Sequence, residues 1–193
     1  MIDIADVNVK AAYDKAILSA INKTLDQTKT FVKRELASRY NMRPSDVDKY
    51  LSVVRANAQR PKGWIACYSA WISLSKFAGT TQTATGAQAT IGKTFVIPHS
   101  FIVIMKSGHS GVYVRVGEPV PVKQGRYAGK VYTRREDRLG QPILRQKLIE
   151  KTGPNIARLF GSQEMTEKMQ AFAADTLPRL FNHDFLFYLF RRG

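Results

Sequence analysis

The sequence predicts an α+β fold. Three observations carry that expectation: an amphipathic period of three and four running without Gly or Pro over residues 9–40, strand-like alternation through the middle of the chain, and a second helical period over residues 162–190.

The first element places Val9, Ala12, Ala16, Ile17, Ala20, Ile21, Leu25, Val32, Leu36 and Tyr40 on one face, which reads as a single long N-terminal helix. At 1.5 Å per residue it extends about 45 Å, more than a domain of this size spans. Asn41 suits the left-handed residue that ends such a helix. Pro44-Ser45-Asp46 then opens a second helix, with Val47, Tyr50, Leu51 and Val54 on its inner face. After Arg60-Pro61-Lys62-Gly63 the period becomes that of a strand from Ile65 to Phe77, where Trp71, Ser73, Ser75 and Phe77 alternate with Ile72, Leu74 and Lys76. A Thr/Gly/Ala-rich stretch follows, and Phe95-Val96-Ile97 resumes the strand pattern. Segments Phe101 to Met105 and Val112 to Val116 flank Ser107-Gly108-His109-Ser110-Gly111, a β-hairpin with a five-residue loop. The middle of the chain is thus expected to form a central antiparallel β-sheet.

Residues 117–142 mix Gly, Pro, Lys and Arg and read as an exposed basic loop or arm. The C-terminal helix places Met165, Met169, Phe172, Ala173, Leu177, Leu180 and Phe181 on one face, with a kink or restart expected near Pro178. It closes in Phe185, Leu186, Phe187, Tyr188, Leu189 and Phe190, apolar on every side. A partner subunit is the expected cover for that segment, which makes it a candidate subunit interface. Residues 1–193 are read as one domain.

Thirty Lys and Arg against fifteen Asp and Glu give a formal net charge of +15. Between Asp48 and Glu118 there is no acidic residue, while Lys49, Arg55, Arg60, Lys62, Lys76, Lys93, Lys106 and Arg115 fall in that run. Such a one-signed stretch attracts polyanions. In the arm, Lys123, Arg126, Lys130, Arg134, Arg135 and Arg138 are interleaved with Tyr127 and Tyr132. They are candidate contacts to DNA or an acidic partner through phosphate pairing and stacking, a solvated loop being the other reading.

Cys67 is the sole cysteine, which leaves no internal disulfide and no multi-cysteine zinc pattern. The acidic start Met1-Ile2-Asp3-Ile4-Ala5-Asp6 is not a secretory signal, and no window reaches the roughly 18 apolar residues of a membrane span. A reducing cytosol, or an assembly built there, is the expected setting.

Four segments imitate chemistry. Ala87 to Thr94 meets a relaxed phosphate-loop pattern, but a strand follows where a helix is required. Cys67 with His99, His109 or His183, and Ser107 beside His109 and Ser110, suggest nucleophile pairs. The plainer reading makes Cys67 a buried strand residue and His109 a hairpin tip. Residues 35–51 imitate a helix-turn-helix, but its second helix begins with Asp46 and Asp48, the wrong sign for DNA. Two antiparallel core helices are the expected content of that segment. No catalytic residue, metal site or cofactor is expected.

Three stretches, read in order, resemble the prophage minor tail protein Z family, the tail completion proteins of long-tailed phages. The first is Ala20-Ile21-Asn22-Lys23-Thr24 with Met42-Arg43-Pro44-Ser45-Asp46-Val47. The second is Pro98-His99-Ser100-Phe101-Ile102 with Ser107-Gly108-His109-Ser110-Gly111-Val112-Tyr113-Val114-Arg115. The third is Gly153-Pro154-Asn155-Ile156-Ala157-Arg158-Leu159-Phe160. The basic insertion at 117–142 is longer than the family's link, and Asn155 stands where Ser is usual. The resemblance implies a non-enzymatic virion component at the head-proximal end of the tail, in a homo-oligomeric ring, a hexamer by family resemblance. It would assemble in the host bacterial cytoplasm and contact tail terminator, tail tube or neck proteins, with DNA passing nearby and no membrane involved. The alternative is a cytosolic DNA-binding protein, sequence-tolerant or of helix-turn-helix type.

Overall fold

A computed structural model describes residues 9–116 and 147–190, and its architecture is α+β. The chain forms two compact units, one from residues 1–72 and 154–193 and the other from 73–153.

The first unit is organised on α1 (Val9–Arg39) and α4 (Gln163–Phe190). Side chains buried along α1 step by four: Ala12, Ala16, Ala20, Thr24, Thr28, Val32 and Leu36. Small residues over the first half of that row let the helix be approached closely. The two helices run antiparallel, since Arg39 meets Glu164, Glu35 meets Lys168 and Phe31 stacks on Phe172, α4 advancing as α1 retreats. Val9, the first residue assigned to the apolar face, is half exposed instead. The buried row also recruits Thr24 and Thr28. Thr24 satisfies its hydroxyl on the Ala20 carbonyl at 2.7 Å, whereas the Thr28 and Thr176 hydroxyls are buried without a hydrogen-bond partner among the described residues.

α1 ends as expected. Asn41 takes φ 55°, Met42 N–H reaches the Ala37 carbonyl at 2.9 Å and Asn41 N–H the Ser38 carbonyl at 3.4 Å, the paired bonds of a left-handed helix stop. The second helix is shorter than its period predicts. α2 is the single turn Pro44–Asp48, and Leu51–Val54 is strand β1, paired antiparallel with β2 (Trp64–Cys67). The segment read as two core helices is therefore a helix, one turn and a strand. Val53 and Val54 favour extended backbone, and the ladder to β2 outweighs the helical spacing of Val47, Tyr50, Leu51 and Val54.

Two joints fix this ribbon to α1. Asn22 acts like a strand backbone, donating to the Ala56 carbonyl at 3.0 Å and accepting from the Ala56 N–H at 2.9 Å. Gly63 allows the close approach: a Cβ there would lie 2.5 Å from Leu25 Cδ1 and 2.8 Å from the Val54 carbonyl oxygen.

The strand expected from Ile65 to Phe77 is broken into β2, β3 (Trp71–Ser73) and a 3-10 turn at Leu74–Lys76. The chain passes between units through β3 and returns through β9 (Lys147–Asn155). In the second unit, β4 (Thr81–Gln82), β5 (Gly86–Ile91) and β6 (Lys93–Pro98) form an antiparallel sheet in that order. The Thr/Gly/Ala-rich stretch thus contains two strands that its composition hid. β7 (Ser100–Ile104) and β8 (Ser110–Val116) form the expected hairpin, and β9 pairs with β8 from Val116↔Lys147 onward. Phe77, Leu74, Ala87, Ala89 and Val112 are buried in this unit.

Asn155 opens the short helix α3 (Ile156–Phe160) as its N-cap, its side chain accepting from Ala157 N–H at 2.9 Å. The kink or restart expected in the last helix does not break it, for α4 runs unbroken through Pro178. Pro178 and Ala174, whose carbonyl loses its helical donor, both lie on the exposed side, where water can replace that bond.

Candidate interaction surfaces

The end of the helix pair gathers apolar surface. Tyr13 packs edge-on to Phe181 at 5.4 Å and to Phe185 at 6.5 Å, which brings the start of α1 beside the last turns of α4. The six residues of the candidate interface divide there. Phe185 turns inward on Tyr13 and Phe181, Tyr188 and Leu189 are half-buried, and Leu186, Phe187 and Phe190 are 54%, 49% and 60% exposed. Val9 and Tyr13 extend this exposed apolar end on α1.

One turn inward the pair holds a charge. Asp184 is 2% exposed, and Lys23 Nζ donates to its two oxygens at 2.6 and 2.8 Å. Burial pushes this carboxyl upward, but hydrogen bonds from Lys23, Ser19 and His183 outweigh it and hold the pKa below the usual range. Lys23 and Asn22, adjacent in the first family-like stretch, are thus both structural joints.

The acid-free run is not a uniformly bare positive surface. Arg55 pairs with Asp26 at 2.9 Å and Lys49 with Asp46 at 2.9 Å, acids supplied by α1 and α2. Arg60 lies over the Trp64 ring at 4.8 Å, and Arg115 over Phe101 at 5.1 Å. Asp48, the other acid of the imitated helix-turn-helix, accepts from Lys29 with Lys33 beside it, which holds its carboxyl below the usual range. With α2 reduced to one turn, residues 44–48 offer no recognition helix.

The chemical look-alikes resolve into backbone features. Ala87 to Thr94 is the β5–β6 hairpin turning at Gly92, where φ is 67°, so no helix amides follow it. Cys67 lies in β2 but is only half-buried, and burial pushes its thiol up, away from the thiolate a nucleophile needs. His109 sits near the β7–β8 tip and faces Glu150 at 2.9 Å, a partner the sequence did not reveal because it is 41 positions away. No group of three or more His, Cys, Asp or Glu able to hold a metal occurs among the described residues, and no helix among them is long and apolar enough to cross a membrane. Lys123, Arg126, Lys130, Arg134, Arg135 and Arg138 lie outside the described residues.

One surface was missed from sequence. Trp64 and Tyr68 are 46% and 62% exposed on the ribbon beside Arg60 and Lys62. The signal was four basic and aromatic residues within nine positions of the acid-free run, overshadowed by the denser arm. Compared with protein-family models, curated proteins and solved structures, the chain matches none.

Proposed function

We propose that this chain is a structural virion protein of a long-tailed bacteriophage, a tail completion or neck component at the head-proximal end of the tail. It helps head–tail joining and DNA passage and performs no catalysis. The observation that carries the reading is the exposed apolar end formed by Val9, Tyr13, Leu186, Phe187 and Phe190. A protein that works alone gains nothing from large rings held in water, whereas a ring subunit buries them against its neighbour. The family-like stretches add support, because Asn22, Lys23, Met42 and Asn155 within them form the helix joint, the buried ion pair, the helix stop and the α3 cap. In this reading the subunit assembles into a homo-oligomeric ring, a hexamer by family resemblance. The ring contacts terminator, tube or neck proteins, and the arm residues Lys123 to Arg138 face DNA or an acidic neighbour.

Sedimentation of the purified chain tests the assembly step. The unmodified protein should associate with rising concentration, and Leu186→Ser with Phe190→Ser should leave a monomer of unchanged helix content. A protein monomeric at all concentrations contradicts the reading.

A further inference from the structure

The β1–β2 ribbon carries two exposed aromatic rings, Trp64 and Tyr68, on one of its faces. Opposed residues of an antiparallel pair share a face, so the register Ser52↔Ala66 and Val54↔Trp64 places these four side chains together. Tyr68 N–H bonds the Tyr50 carbonyl at 2.9 Å, which continues the antiparallel pairing one step past Leu51↔Cys67 and puts Tyr68 in register with that face. The opposite face holds Leu51, buried, with Val53, Ile65 and Cys67 half-buried. Trp64 and Tyr68 are the two exposed residues of that face, about 13 Å apart at 3.3 Å per residue, with Ser52, Val54 and Ala66 half-buried between them. Arg60 covers one side of Trp64, and Lys62 is exposed next to it. No acidic residue occurs from 49 to 72.

We propose that this face binds single-stranded nucleic acid, with bases stacked on Trp64 and Tyr68 and phosphates beside Arg60 and Lys62. Exposed rings next to cations match both parts of that ligand, a π face on every base and a charge on every linkage. Duplex DNA keeps its base faces stacked internally and can use only the cations. An acidic protein would satisfy Arg60 and Lys62 but gives two large rings on one strand face no counterpart. The site shares no residue with the arm or with the apolar helix end, and it does not depend on the virion reading.

The test is fluorescence anisotropy with the full chain and a labelled thymidine oligonucleotide, against its duplex and against heparin, a polyanion without bases. The single strand should bind most tightly. Trp64→Ala and Tyr68→Ala should each weaken it by roughly tenfold, Trp64→Phe should retain most of the affinity, and circular dichroism should report an unchanged fold. Arg60→Gln with Lys62→Gln should lower the salt slope by roughly one to two while leaving the preference for single strands. Equal binding of heparin, duplex and single strand overturns the proposal, as does binding that survives loss of both rings. Binding lost only on replacing Arg134, Arg135 and Arg138 assigns it to the arm and overturns it too. Self-association abolished by Trp64→Ala, with no binding of the oligonucleotide, makes the face a protein contact instead.

Discussion

In the unit built from residues 1–72 and 154–193, the deciding contacts join distant parts of the chain: Lys23 meets Asp184 across 161 positions, and Glu35 meets Lys168 across 133. In the unit built from residues 73–153, β8 and β9 pair at long range, but the β5–β6 and β7–β8 ladders join neighbours, with Ile91 facing Lys93 around one glycine and Ile104 facing Ser110 around a short loop. The helical unit is fixed by a few polar side chains set into an apolar seam. The strand-rich unit is fixed by backbone geometry, with little loop entropy spent on closing each hairpin. Damage should therefore act through different groups in the two.

The largest effect is expected from Gly86→Ala in the strand-rich unit. A Cβ at that position would lie 2.0 Å from the Ile97 carbonyl oxygen, a backbone atom of the paired strand that cannot turn aside. The β5–β6 ladder must shift, at about 3 kcal/mol, and chemical denaturation should register that loss. A change near zero would mean the hairpin yields more easily than its register suggests.

The helical unit should lose somewhat less from Lys23→Met, about 1–3 kcal/mol, because the buried Asp184 carboxylate keeps only its lesser partners. The same pair sets a pH dependence. Asp184 has its folded pKa depressed, so its contribution is complete above the ordinary aspartate range and disappears as pH falls through the folded value. The unmodified protein should accordingly lose more stability on acidification than Asp184→Asn does. Parallel pH profiles for the two proteins would remove Asp184 from the account.

The two units also differ in how much of them the sequence disclosed. α1 was legible because its period lasts through residue 39 without Gly or Pro, and Asn41 was legible as its left-handed stop. The hairpin around Gly108 was legible for the same local reason. β1 was not, since Val47, Tyr50, Leu51 and Val54 satisfy a helical spacing and only pairing with Trp64–Cys67 decides for a strand. β5 was concealed by chemistry: Ala87 and Ala89 alternate into the interior, but alanine carries too weak an apolar signal to mark a period. Asp184 could not be recognised as a buried ion-pair partner from Asn182-His183-Asp184, because its cation lies on the other helix. Of the candidate surfaces, the terminal aromatic segment was legible as a block, but its division into inward Phe185 and exposed Leu186, Phe187 and Phe190 required the helix pair. The ribbon face required the register.

The central claim is that this chain completes a phage tail, and electron microscopy of particles produced without it tests that claim most directly. The account predicts heads and tails that fail to join, or joined particles that do not infect, with both restored when the chain is supplied. Normal, infectious particles formed in its absence would contradict it.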